Sequence, residues 1–257
     1  MEQKSKEQRL AIVTGGGRGI GEIVCRQLAR QGLRIAVADI HGDNARRVAR
    51  ELGVGHAGYT VDVADEKAVQ SLFKQVEAEQ GQVAVLVCAA GLLILPNGER
   101  PLIKDIDLDT WERSFAVNTR GAFLCSREYL RRREVAPLDG GRVVFFSSVA
   151  AQLGGYRASA AYISAKTAVL GYAKAFAREA AHLGITANTV APGLIDTDML
   201  RATVSSSGAL AAAAQNIPLG RIGTPEDVAA AVAYLVSPAA AYITGNVIDV
   251  NGGYRMQ

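Results

Sequence analysis

Cysteine, histidine, tryptophan and long apolar runs are all scarce in this chain. Its three cysteines, Cys25, Cys88 and Cys125, stand far apart with no C-x-x-C pair. That excludes a disulfide scaffold and a zinc-ligand pattern. The three histidines, His41, His56 and His182, are equally dispersed, so no metal is expected. No stretch of ~20 apolar residues occurs, so no membrane partner is expected. Residues 1–7 carry charges with no apolar block behind them. A secretory leader is therefore not expected, and a cytoplasmic location is. Excess charge of one sign is also missing: 28 Lys and Arg face 25 Asp and Glu. Nucleic acid is not an expected partner on that balance. The densest basic cluster, Arg131-Arg132-Arg133, reads as a solvated helix end.

What is present is apolar residue in regular blocks. The 257 residues are 49% hydrophobic, enough for one large domain over residues 1–257. Candidate strands are Leu10–Thr14, Leu33–Ala38, His56–Val61, Val83–Cys88, Arg142–Ser147, Thr186–Val190 and Asn246–Val250. Helical patterns lie near 20–31, 42–51, 65–79, 109–134, 161–182 and 225–236. Most strand runs are continuous rather than alternating, which suits a parallel sheet covered on both faces. Strand–helix alternation at this spacing reads as βαβ units. Residues 202–216 are dominated by small side chains and read as a weakly held helix or a lid, within a segment spanning about 196–218.

The sequence T-G-G-G-R-G-I-G follows the first strand directly. A strand running into glycines and then a helix brings backbone N–H groups up to a phosphate and points the positive helix end at it. Gly15, Gly17, Arg18, Gly19, Ile20 and Gly21 are therefore candidate cofactor contacts. Asp39, followed by Ile40, closes the second strand. A carboxylate there accepts from both adenosine ribose hydroxyls and repels a 2′-phosphate, favouring NAD over NADP. Arg18 argues the other way, because a guanidinium in the turn can meet that phosphate. Asp62 is placed to accept from the adenine amino group beside the Val63 N–H, with Asp65 capping the next helix. Ala89-Ala90-Gly91 after the fourth strand lets a ribose approach the backbone.

Tyr162 and Lys166, four apart on one helix face, form the chemical candidate. A phenol is a poor base at neutrality. A neighbouring ammonium and an oxidised nicotinamide ring both favour the phenolate, making Tyr162 an acid/base for a carbonyl–alcohol pair. Ser147-Ser148, at the end of the fifth strand, can hold the substrate oxygen. No G-x-S-x-G frame supports a hydrolase.

On these motifs the chain, over residues 9–254, resembles the short-chain dehydrogenase/reductase family. The resemblance implies an α/β, three-layer Rossmann fold with a doubly wound seven-stranded parallel sheet and helices on both faces. It implies a catalytic set of Asn118, Ser148, Tyr162 and Lys166. Lys166 is implied to bind the nicotinamide ribose, Ser148 to orient the substrate oxygen, and Asn118 to kink its helix and hold a relay water. Pro192, Gly193, Ile195 and Thr197 are implied to line the nicotinamide. The implied partners are a small alcohol or ketone and three further copies of the chain, as a homotetramer. Two departures stand out. Ala89 replaces the family's common asparagine, and thirteen residues separate Ser148 from Tyr162, one more than usual. The expected substrate pocket comprises Leu93, Ser148, Leu153, Gly154, Tyr156, Leu194, Met199 and Leu200. Arg157 and Arg201 are candidates to meet an anionic substrate group. The tail from Tyr254 is expected to reach a neighbouring subunit's pocket.

The expected function is hydride transfer between a secondary alcohol or ketone and NAD, with NADP as the lesser alternative. Two competing readings remain at this point. One is an inactive NAD-sensing scaffold, which an incomplete catalytic set would mark. The other is an epimerase or dehydratase recycling a tightly bound NAD, which co-purifying NAD without net absorbance change would mark.

Overall fold

In a computed structural model, the protein is described over residues 8–155, 157–203 and 207–256, the side chains of Asn97 and residues 207–209 excepted. The strands are β1 (Leu10–Thr14), β2 (Arg34–Asp39), β3 (Ala57–Thr60), β4 (Val83–Cys88), β5 (Arg142–Phe146), β6 (Thr186–Pro192) and β7 (Val247–Val250). They form one parallel sheet in the order β3-β2-β1-β4-β5-β6-β7. The helices are α1 (Gly19–Arg30), α2 (Gly42–Leu52), α3 (Glu66–Gln80), α4 (Leu108–Phe115), α5 (Gly121–Val135), α6 (Val149–Leu153), α7 (Ala160–Ala180), α8 (Asp198–Arg201), α9 (Ser207–Gln215) and α10 (Pro225–Val236).

Every residue of β1 is buried. Leu10 and Ile12 pack on one face, with α3, α5 and α7. Ala11 and Val13 pack on the other, with α1, α2 and α10. Covering both faces is why the strand runs are continuous in sequence. The winding reverses between β1 and β4, which are neighbours in the sheet though not in sequence. Their carboxyl ends open the crevice in which such sheets bind ligands.

Strand boundaries agree with the sequence reading to within two residues. The helical pattern at 109–134 is not one helix. It is α4, a π-helical turn over Ala116–Arg120, and α5. The helices α6 and α8 have five and four residues, too few for a periodic signal. The helix expected in 202–216 is α9.

The basic cluster requires a correction. Arg131 is exposed, but Arg133 is 1% exposed and pairs with Glu77. Its guanidinium lies 5.9 Å from the Tyr129 ring centroid. The Tyr129 hydroxyl donates to the Ala84 carbonyl. A half-buried carboxylate partner on α3 is invisible in a run of three arginines.

Candidate active site

The phosphate turn is shaped by close backbone approach. Gly15 has φ +69°, and a Cβ there would fall 2.7 Å from Ala90 Cα. A Cβ on Gly21 would fall 2.1 Å from the Gly15 carbonyl oxygen. Gly19, by contrast, faces open space. Arg18, at the N-cap of α1, makes no side-chain cap bond, so the first-turn amides have no capping acceptor. This open cradle at a positive helix end fits a dinucleotide pyrophosphate.

Asp39 is 6% exposed. Its Oδ2 accepts from the Gly17 N–H and its Oδ1 from the His41 N–H, each at 2.9 Å. It therefore braces the glycine turn. Arg47 donates to the Gly17 carbonyl at 3.1 Å and pairs with Glu22 and Glu51. Arg46 pairs with Asp43. Arg18 and Ile40 are exposed. Asp65 caps α3 through the Lys67 and Ala68 N–H groups, as expected. Asp62 is not wholly uncommitted: its Oδ1 accepts from the Ala64 N–H, because an aspartate ahead of a turn readily bonds two residues on. Val63 is buried against Gly121. Thr14 Oγ1 accepts from the Ala90 N–H and donates to the Val87 carbonyl, both at 3.4 Å. A tie between β1 and β4 thus persists where Ala89 replaces asparagine.

The chemical groups converge from four segments. Ser147 Oγ donates to the Lys166 carbonyl at 2.9 Å, and Ser148 Oγ caps α6 by accepting from the Ala150 N–H. Ser159 caps α7 through the Tyr162 N–H, so the tyrosine sits in the first turn and Lys166 one turn further. Lys166 Nζ lies 5.8 Å from the Tyr162 ring centroid and donates to the Phe146 carbonyl at 3.0 Å. Asn118 occupies the π turn. Its amide donates to the Leu92 and Ser114 carbonyls, and its Oδ1 accepts from the Leu92 N–H. A Cβ on Gly91 would fall 3.3 Å from Asn118 Oδ1 and 3.4 Å from Lys166 Nζ, so both polar atoms border the same glycine. The extra residue of the π turn re-aims the Asn118 side chain.

Burial pushes the Tyr162 phenol above its usual range, opposed by the Ser148 hydroxyl. Burial also brings Lys166 down to about 8, with Cys88 acting weakly the other way. Of the two influences expected to favour the phenolate, the Lys166 ammonium is not among the causes acting on the phenol here. Both groups are buried, and desolvation disfavours both charges. The phenol is therefore protonated at neutral pH, and a phenolate needs a further positive charge in the cleft.

One consequence is measurable. Unfolded lysine titrates near ~10.4, so between pH 8 and there the folded chain binds fewer protons at Lys166 than the unfolded chain. Its burial costs stability below pH 8, and the cost is relieved as pH rises through that window. Lys166→Met should stabilise the ligand-free protein at pH 7 by up to about 3 kcal/mol, with the advantage shrinking towards pH 10. Thermal melts across that range test this, and a pH-independent difference discards it.

A cleft of about 190 Å³ joins the turn to these groups. Ile20, Ala89, Gly91, Pro192, Gly193, Ile195 and Thr197 line it beside Tyr162 and Lys166, and Leu93, Ser148, Leu153, Leu194, Met199 and Leu200 complete the expected wall. Gly154 is instead the left-handed C-cap of α6, and Gly155 takes the wall position. Tyr156 lies outside the described residues. Val149, Ala150, Ala158 and Thr203 were not anticipated, since small side chains beside short helices carry no motif. Tyr254 lines the cleft of its own chain. The tail is turned inward there by the Leu219 N–H donating to the Gly252 carbonyl.

A family model described as enoyl-(acyl carrier protein) reductase matches residues 15–255. The chain is 34% identical over 250 residues to 3-oxoacyl-[acyl-carrier-protein] reductase FabG of Escherichia coli, covering 97% of this chain and 98% of that protein. It is 39% identical over 251 residues to the reductase MabA of Mycobacterium tuberculosis, covering 96% and 93%. Among solved structures it resembles a short-chain type dehydrogenase/reductase from Mycobacterium marinum, with TM-score 0.89, 30% identity and coverage of 97% and 96%. It also resembles a blue fluorescent protein from a metagenomic library in complex with NADPH, with TM-score 0.86, 31% identity and coverage of 96% and 98%.

Proposed function

The chain belongs to the short-chain dehydrogenase/reductase family of oxidoreductases, and from that membership we propose that it interconverts a secondary alcohol and a ketone with NAD as the preferred cofactor. The observation carrying the reading is the single cleft that Ser148, Tyr162 and Lys166 share with the turn residue Ile20. A nicotinamide dinucleotide, when bound, supplies hydride exchange. Tyr162 gives its proton to the nascent alkoxide, or takes one from the alcohol. Ser148 Oγ holds the same oxygen. With the cofactor bound, Lys166 Nζ would hold the nicotinamide ribose and pass protons outward past Asn118, which borders the same glycine. Pro192, Gly193, Ile195 and Thr197 form the wall against which the ring is oriented.

The NAD preference rests on Asp39, a buried carboxylate at the end of β2, because a 2′-phosphate on a ribose bound there would meet a like charge. At ~4 Å and an effective dielectric of ~20, one unit of like charge costs about 4 kcal/mol. The neighbouring cations Arg46 and Arg47 are committed to Asp43, Glu22 and Glu51. NADP use is the second reading, favoured by the exposed Arg18 and by the NADPH in one neighbour. Purified protein assayed at 340 nm against a ketone panel with NADH and NADPH tests both. Asp39→Ala should lower the NADH-to-NADPH ratio of kcat/KM at least tenfold. It should also weaken NADH itself, because Gly17 and His41 lose their acceptor. An unchanged ratio rejects the role of Asp39.

The three cysteines are free and buried, which supports a reducing, cytoplasmic setting. No described helix is long and apolar enough to cross a membrane. A homotetramer is supported by the exposed Leu108, Trp111 and Phe123 along α4 and α5. A solution mass of one 27.1 kDa chain would reject it.

A further inference from the structure

The charge inside the cleft is unbalanced. Among the described lining residues, Lys166 and Arg157 are cationic and none is a carboxylate. Lys166 is at the floor, bonded to the Phe146 carbonyl. Arg157 is half-buried two residues before Ser159, the cap of α7. The first turn of that 21-residue helix carries no acidic residue, so its positive end adds to the guanidinium field. The surrounding wall is apolar: Leu93, Leu153, Met199 and Leu200.

Arg201 makes the contrast. It is exposed and donates Nε and Nη2 to the two Asp196 oxygens at 2.9 and 3.1 Å. Its charge is met within the chain. Arg157 has no ion pair among the described residues. A half-buried guanidinium against aliphatic walls is matched only by an anion that enters with the ligand.

Resting on the alcohol–ketone reading above, we propose that the substrate carries a monoanionic end group, a carboxylate or sulfonate, and that Arg157 is the residue that holds it. One guanidinium balances one negative charge. A phosphate dianion would keep a second charge unmatched in an apolar pocket. Arg157 lines the same cleft as Ser148 and Tyr162, so a substrate held at its reacting oxygen by that pair can present an end group to the guanidinium. Arg157 thus determines specificity, while Tyr162 and Ser148 handle the oxygen.

The test is a titration of the protein–NADH complex in the Tyr162→Phe background, where bound ketone does not consume NADH, read by the fluorescence of bound NADH. The probes are 3-oxobutanoate, 4-oxopentanoate and 5-oxohexanoate, the methyl ester of each, and 2-oxopropanesulfonate. At least one acid, or the sulfonate, should bind ten or more times more tightly than the esters. In Arg157→Gln that ratio should collapse to near one, and Arg157→Lys should recover part of it. Both constants of the ratio come from one protein sample, so partial unfolding does not change it. Protein retaining Arg157 that binds esters as well as the anions overturns the proposal, as does a ratio that survives Arg157→Gln. Failure of wild-type protein to bind either NADH or NADPH instead refutes the oxidoreductase reading and takes this inference with it.

Discussion

Tyr162→Phe abolishes turnover, with kcat reduced about 10³-fold or more, while the dissociation constant for NADH stays within about threefold of wild type. The magnitude follows from what a positioned acid/base contributes, typically 10²–10⁴. The selectivity follows from the geometry. The variant keeps the ring, the α7 backbone and the Ser159 cap, so Lys166 retains its place beside the ring and its bond to the Phe146 carbonyl. Only the hydroxyl facing Ser148 is removed. The wild-type rate of ketone reduction should also fall at high pH, as the phenol loses its proton, and that limb should be missing from any residual rate of the variant. NADH fluorescence titration and a stopped-flow rate at saturating ketone measure the two quantities. Comparable rates in the two proteins would remove Tyr162 from the chemistry. Loss of rate together with loss of NADH binding would make it a structural residue.

That separation was legible in the sequence only up to a point. The i, i+4 spacing of Tyr162 and Lys166 and the glycine turn are local features, and both sit where the residues placed them. The sign of the electrostatics was not local. Burial raises Tyr162 and brings Lys166 down to about 8, and burial depends on β5, α4 and α7 closing over the pair. The same holds for Arg133. Its neighbours in sequence suggest solvent, whereas its partner Glu77 comes from α3. The interruption between α4 and α5 was hidden for another reason. A π turn inserts one residue without altering composition, so residues 109–134 read as continuous. The parallel sheet, by contrast, followed from the continuous apolar runs and their alternation with helical patterns, while its doubly wound form was what the family resemblance implied. The pocket wall was half legible: aliphatic residues next to motifs were found, and small residues on α6 and after α8 were not.

The second large effect is expected in the phosphate turn, where two glycines separate two functions. Gly21→Ala would place a methyl 2.1 Å from the Gly15 carbonyl oxygen, a backbone atom that has no rotamer to escape into. Relief requires α1 to move by about an ångström away from β1, against its packing on α10 through Val24 and Leu28. The cost should be about 3 kcal/mol, at the upper end for overpacking, and the melting temperature should drop accordingly. NADH affinity should fall at least 100-fold, since the α1 amides leave the pyrophosphate position. Gly19→Ala meets nothing within 4 Å. It carries only the strain of an L-residue at φ +56°, roughly 1 kcal/mol. Its methyl instead enters the space assigned to the phosphates. Gly19→Ala should therefore melt close to wild type and still bind NADH poorly. Differential scanning calorimetry and NADH titration of both variants give four numbers. If Gly19→Ala binds NADH normally, the pyrophosphate does not occupy that cradle. If Gly21→Ala keeps wild-type stability, α1 is not held against the turn as tightly as this close approach requires.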